Sequence, residues 1–253
     1  MLKEIVIAIQ SYFQAHQFIR QHRLWKWILI PGILYALLFL VGMYFFWAST
    51  NSAVTYISNL LGLQTWLARM ENSFVNFLFI LGELIIRVIL VFFYFSLFKY
   101  IFLIIGSPIF AYLSEKTAAI LEGKDFPFSF RQLLSDILRG IRLALRNTLW
   151  QTVYTISILL LSFIPLAGWI TPMIALFVEC YYYGFSMLDY SCERQRMSPA
   201  QSIAYINKHK GLAVGNGLVF YIMHGVIFVG WVLAPSYAVV AATLSLHEME
   251  KKK

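Results

Sequence analysis

The chain has 253 residues; 60% are hydrophobic, 17% aromatic and only 13% charged, and the formal net charge is +8. Soluble domains carry about 25% charged residues, so water is not the main solvent of this fold. The excess of Lys and Arg belongs to no nucleic-acid module; it fits topology and attraction to anionic lipid, or a site for a small anion.

Met1 to Gln17 reads as an amphipathic helix, with Leu2, Ile5, Val6, Ile9, Tyr12 and Phe13 on one face. Such a helix lies on a membrane surface. Arg20, His22, Arg23 and Lys26 follow. They either anchor the chain by positive charge or hold an oxyanion, because free N–H groups at a helix N-terminus favour anions.

Trp27 to Ala48 contains no charged residue and meets the roughly 20 residues needed to cross a bilayer. It is too long for a signal peptide and lacks a clear cleavage site, so it is expected to stay as an anchor. Phe74 to Ile105 is a second span of 32 residues, about 48 Å of helix, which must tilt or project. Glu83 and Arg87 share one face inside it. Ionised groups at that depth are costly, so they form a mutually satisfied pair at a helix or subunit contact, or a polar step on a transport path.

Ser107-Pro108 starts a fresh helix or kinks the old one, and Gly123 ends that stretch. Glu115, Lys116 and Glu122 place it in water. Ser129 with Gln132 predicts a capping box, and Phe128 with Leu133 a staple. The next helix carries Leu134, Ile137, Ile141 and Leu145 on one stripe and Arg139, Arg142 and Arg146 beside it, the pattern of a helix at a headgroup layer.

Two apolar segments, 149–188 and 212–246, each contain Gly-Trp shortly before Pro: Gly168-Trp169 before Pro172, and Gly230-Trp231 before Pro235. Each break is expected to reverse the chain. The closing arm Ser236 to Leu246 then has 11 residues, about 17 Å, too short to cross alone. Between the hairpins, Ser198-Pro199 starts a short helix and Gly211 ends it; Gly211 and Gly215 form a small-xxx-small pair. Glu179 and His224 lie inside the apolar segments, one awaiting a cationic partner, the other reading as a packed side chain.

Lys and Arg cluster before the first span, after the second, between the hairpins and at the C-terminus. The positive-inside rule then places both termini in the cytoplasm. The expected fold class is all-α: an integral membrane protein with two long transmembrane helices, two helical hairpins that partly penetrate, and cytoplasmic amphipathic helices. One membrane domain covers 1–253, divided as helix 1–25, spans 27–48 and 74–105, cytoplasmic helices 107–147, and hairpins 149–188 and 212–246. Cys180 and Cys192 are too few for a disulfide framework. Metal-ligand spacing, phosphate loop and nucleophile elbow are all missing, so no enzyme, metal or cofactor is expected.

The chain resembles the CysZ family of bacterial sulfate permeases, grouped with the etoposide-induced membrane proteins. The resemblance rests on Ser107-Pro108-Ile109-Phe110 through Leu113-Ser114-Glu115, on Phe163 to Gly168, on Leu188-Asp189-Tyr190, and on Pro235 with the small-residue helix after it. It implies two long transmembrane helices, two partly penetrating helix pairs, homo-oligomers, and sulfate uptake across the bacterial inner membrane. It also implies a sulfate-associated Gly-Leu-Arg-Arg-like stretch before the first long helix. The corresponding residues here are Arg23-Leu24-Trp25-Lys26, with arginine replacing the glycine. Arg20, Arg23 and Lys26 are therefore the candidate anion-binding residues, and the lipid bilayer and a small inorganic anion the expected partners. The rival reading is a non-transporting scaffold that organises lipid.

Overall fold

The computed structural model describes residues 1–60, 73–123, 130–162, 170–226 and 228–251, and some side chains within the helices between 53 and 162 lie outside that description. Among the described residues all regular structure is helical: α1 (Leu2–Gln21), α2 (Trp25–Leu60), α3 (Ser73–Glu122), α4 (Phe130–Ser162), α5 (Thr171–Arg194), α6 (Pro199–Lys208), α7 (Lys210–His224) and α8 (Val229–Lys251). Among the described residues, three stretches are long and apolar enough to cross a membrane: Trp25–Ser52, Ile101–Glu122 and Val229–Lys251.

Three prolines sit inside helices. Pro31, Pro108 and Pro235 lie within α2, α3 and α8. Away from water, backbone that left the helix would find no partner, so the helix continues past the missing N–H. Two expectations change as a result. Ser107 does not start a new helix, since α3 runs unbroken for 50 residues until Gly123, whose φ of 64° ends it. Nor does the chain reverse at Pro235. α7 ends ahead of it at the Gly225 cap, Phe228 takes φ 64°, and the closing arm is the 23-residue α8. That is about 34 Å, so the length argument for a half-penetrating second hairpin no longer applies.

The chain divides into two compact units, Met1–Ala36 with Phe102–Lys253, and Leu37–Ile101. In the second, Phe39 meets Phe98 edge-on, and Tyr94 donates to the Phe39 carbonyl at 3.0 Å. Gly42 leaves room for the Tyr94 hydroxyl, which lies 2.7 Å from where a Cβ would stand.

The core of the first unit is built around α7, packed between α1 and α5 with α8 alongside. Glycine makes this possible. A Cβ on Gly211 would stand 2.3 Å from the Met1 carbonyl oxygen, and one on Gly215 2.8 Å from Ala8 Cβ. On the opposite side, a Cβ on Gly217 would fall 2.0 Å from the Cys180 oxygen. The small-xxx-small pair is thus the seat of α1. Gly211 lies in the first turn of α7 and does not end α6, which closes at His209. Ser198 starts α6 as predicted and closes a capping box with Gln201, its side chain accepting from Gln201 N–H and Gln201 answering to Ser198 N–H.

Two predicted apolar stripes turn only some of their residues away from the core. On α1, Leu2, Val6 and Phe13 are exposed, while Ala8, Ser11, Tyr12, Ala15, Phe18 and Ile19 are buried. On α4, Leu134 and Leu145 are exposed, and Leu143, Ala144, Asn147 and Gln151 face inward. The stretch 107–122 of α3 buries Phe110, Leu113, Ser114, Thr117 and Ala118, so it is a packed helix and not a watery one. The capping box at Ser129, the staple at Phe128, the loop 61–72 and the reversal at 163–169 lie outside the described residues.

Candidate functional site

Arg20, Arg23 and Lys26 lie at or beside the elbow between α1 and α2, and all three are exposed. The elbow is a Schellman corner. His22 N–H returns to the Phe18 carbonyl, Leu24 N–H reaches the Ile19 carbonyl at 3.0 Å, and the residue between them, Arg23, takes φ 52°. Leu24 and Ile19 supply the buried apolar contact of that motif, at 1% and 0% exposure. A left-handed residue there is most often glycine. An L-residue with a Cβ costs roughly 1–2 kcal/mol in the same conformation. The corner therefore explains why a glycine suits this position, and shows that this chain holds the same geometry with an arginine. In return Arg23 adds an exposed cation at the elbow.

The corner is held from below. His16 Nδ1 lies 2.9 Å from the Tyr237 hydroxyl, and the His16 ring meets Trp25 edge-on at 6.3 Å. A Cβ on Gly32 would stand 1.9 Å from the Val232 oxygen, so α2 and α8 touch through backbone. Lys116 of α3 sits over the rings of Trp27, at 5.2 Å, and Tyr112, at 5.8 Å.

A second polar cluster lies where α4, α5 and α6 meet, and sequence reasoning left it among the topology-setting charges. Asp189 Oδ1 accepts from Arg139 Nη2 at 2.8 Å and from the Ser202 hydroxyl. Arg139 also reaches Glu193 at 3.4 Å and the Met197 carbonyl. Burial alone would lower the Arg139 pKa; the hydrogen bond and charge of Asp189, with Glu193 behind it, outweigh that and hold the guanidinium above its ordinary value. Removing one member of a buried pair leaves an uncompensated charge. The only sequence signal for the cluster was the odd charge in Leu188-Asp189-Tyr190.

The other ionisable groups of the apolar segments also have partners. Glu179 takes hydrogen bonds from Gln151 of α4 and from the Tyr221 hydroxyl of α7 at 2.8 Å. His224 Nε2 lies 2.8 Å from the Tyr35 hydroxyl, in keeping with a packed side chain. Glu4 receives His209 Nδ1 at 2.8 Å and Gly211 N–H at 3.1 Å, which caps α7 from α1. Glu83 and Arg87 fall on α3, but their side chains lie outside the described residues. Cys180 and Cys192 are both buried. Among the described residues no three His, Cys, Asp or Glu side chains are grouped as metal ligands.

An all-helical chain whose apolar side chains face outward along α1, α2, α4 and α5 is a membrane protein. Its sequence matches the family model described as "Sulfate transporter CysZ/Etoposide-induced protein 2.4" over residues 11–235, and the chain belongs to that family. It is similar to the "Sulfate transporter CysZ" of Pseudomonas aeruginosa strain LESB58, at 25% identity over 76% of this chain and 75% of that one. The protein of the same name from Pseudomonas aeruginosa strain PAO1 is 26% identical over 72% of this chain and 71% of the other. That of Pseudomonas fluorescens strain Pf-5 is 27% identical over 56% and 57%.

Proposed function

We propose that this chain passes sulfate or a related small inorganic anion across the bacterial inner membrane, as a homo-oligomer with both termini in the cytoplasm. The observation that carries the reading is the α1–α2 elbow. Three exposed cations, Arg20, Arg23 and Lys26, surround a Schellman corner at the N-terminus of the first long helix. The stretch Arg23-Leu24-Trp25-Lys26 occupies the place where the family's sulfate-associated motif stands. Helix N–H groups and clustered cations both favour an anion at that spot. They raise its local concentration at the mouth of the path, and Glu83 and Arg87 line or brace the path further along α3. The motive force is an anion or ion gradient. Family membership speaks for transport and against an enzyme.

The test is uptake of labelled sulfate into vesicles holding the purified protein. Wild type is expected to exceed empty vesicles. Arg23→Glu with Lys26→Glu should cut uptake about tenfold, the equivalent of ~1.4 kcal/mol of lost attraction. Flux equal to that of empty vesicles at every gradient tried would favour the lipid-organising scaffold instead.

A further inference from the structure

A cleft lies between α4 and α5, away from the elbow. Its walls include Gly140, Asn147, Phe185, Ser186, Asp189 and Tyr190, with about 20 Å³ of free space at its centre and about 300 Å³ counting its open mouth. The centre alone exceeds the roughly 10–15 Å³ that one water needs. Asn147 is 1% exposed, and its Nδ2 has no hydrogen-bond partner although it lies on the cleft wall. A buried donor left unpaired costs about 1–3 kcal/mol, so the site calls for an acceptor.

No acceptor on the wall lies within hydrogen-bond reach of Nδ2, and the polar groups nearest it are oriented elsewhere. Asn147 Oδ1 already accepts from Arg146 Nη1 at 3.0 Å. The Ser186 hydroxyl is turned to the Tyr182 carbonyl, and that of Tyr190 to the Leu103 carbonyl. Asp189 is taken up by Arg139 and Ser202. The charge around the cleft is not balanced. Arg139 is matched by Asp189 and Glu193, whereas Arg142 and Arg146 have no acidic partner among the described residues. Arg146 also stands 5.9 Å over the Phe185 ring, so its guanidinium touches two wall residues while most of its N–H groups stay open.

We propose that this cleft is a second subsite for a small oxyanion, whose oxygens accept from Asn147 Nδ2 and from the Arg146 guanidinium. The proposal rests on the anion-transport reading and gives it an additional stopping point, distinct from the elbow. Charge-assisted bonds from Arg146 are the stronger part of the contact. The Asn147 amide, fixed by its neighbour, sets the direction of one oxygen.

The test places a reporter on the wall. In Ser186→Cys protein in lipid nanodiscs, the rate of reaction with a charged, water-soluble thiol reagent is measured in sodium sulfate and in sodium chloride of equal ionic strength. The native thiols do not compete: both are buried, and burial pushes the Cys192 thiol up to about 12. Sulfate should slow labelling roughly tenfold when present at about ten times its Kd. Arg146→Gln and Asn147→Asp, added separately, should each remove the protection. Arg146→Gln is the decisive variant, because Arg146 is half-buried and not part of the lining, so its loss leaves the packed wall intact. Equal labelling in both salts overturns the subsite, even where vesicles take up sulfate, and means that water alone fills the cleft. Protection that survives Arg146→Gln also overturns it. Protection in the absence of any vesicle flux keeps the subsite and rejects transport instead.

Discussion

The two helical hairpins, α4–α5 and α7–α8, are both apolar, yet they meet their surroundings in opposite ways. The first turns large side chains outward: Leu149, Trp150, Val153, Ile156, Leu160, Met173, Leu176 and Phe177 are all exposed. The second keeps them in, with exposed apolar residues only near its turn, at Ile222, Val226, Phe228 and Val229. Of the most apolar window of α8, 78% is buried inside the protein, against 28% for the window in α2. Residue size decides the difference. Gly211, Gly215 and Gly217 of α7 let backbones approach on two sides, and Ala234, Ser236, Ala238, Ala241, Ala242 and Ser245 keep α8 thin. In lipid no hydrophobic force drives helices together, so close van der Waals packing of small residues takes its place. The large side chains of α4 and α5 are equally content against lipid tails. An apolar segment of membrane length can therefore be the protein's lipid face or its core, and average hydropathy does not separate the two.

Truncating one large side chain in each hairpin gives the widest contrast. Leu212 is 0% exposed and Leu160 64%. Leu212→Ala should lower stability by about 2 kcal/mol, the low end of the core-truncation range, because lipid removes the water-transfer part of the loss. Leu160→Ala should stay within about 0.5 kcal/mol. Thermal unfolding in one detergent measures both, and equal losses would erase the distinction between the hairpins.

A smaller contrast adds a methyl. Gly217→Ala puts a Cβ 2.0 Å from a backbone oxygen, whereas at Gly140 the nearest atom is 3.6 Å away. The first should cost about 1–3 kcal/mol by overpacking. The second should gain up to about 1 kcal/mol, since alanine replaces glycine in mid-helix. The same melting curves read both, and a gain at Gly217 would mean that the α5–α7 contact is looser than described.

The smallest effect lies outside both hairpins. Arg23→Gly relieves the left-handed strain of the elbow and should raise stability by about 1 kcal/mol, while sulfate uptake weakens through loss of one cation. A variant that gained in both, or lost in both, would separate the corner's backbone geometry from the anion site.

Much of the architecture was legible because its signals are local. The charge-free run from Trp27 to Ala48 can only be a helix in lipid, and Ser198-Pro199 with Gln201 carries its own cap. Legibility failed where lipid changes the meaning of a residue. Proline at 108 and 235 signals a break in water, but the surrounding apolar medium keeps the backbone helical. The stripe Leu134, Ile137, Ile141 and Leu145 reads as the apolar face of a helix at a headgroup layer, and Leu134 and Leu145 do turn outward, but nothing in the sequence says that the polar Asn147 and Gln151 turn inward. In water an apolar stripe marks the core; in a bilayer it also marks the outside. The candidate cations at the elbow were visible as a cluster, but the left-handed backbone of Arg23 was not.

From the sequence alone come the helical membrane class, the first span, the family, and the cationic segment before that span, because length, hydropathy and charge are sums over neighbouring residues. Only the tertiary structure decided which apolar helix is core and which faces lipid, where the second hairpin turns, and that Asp189 joins Arg139 beside an unfilled amide on Asn147. Those outcomes depend on contacts between residues far apart in the chain, and on how closely two backbones approach once glycine lets them touch.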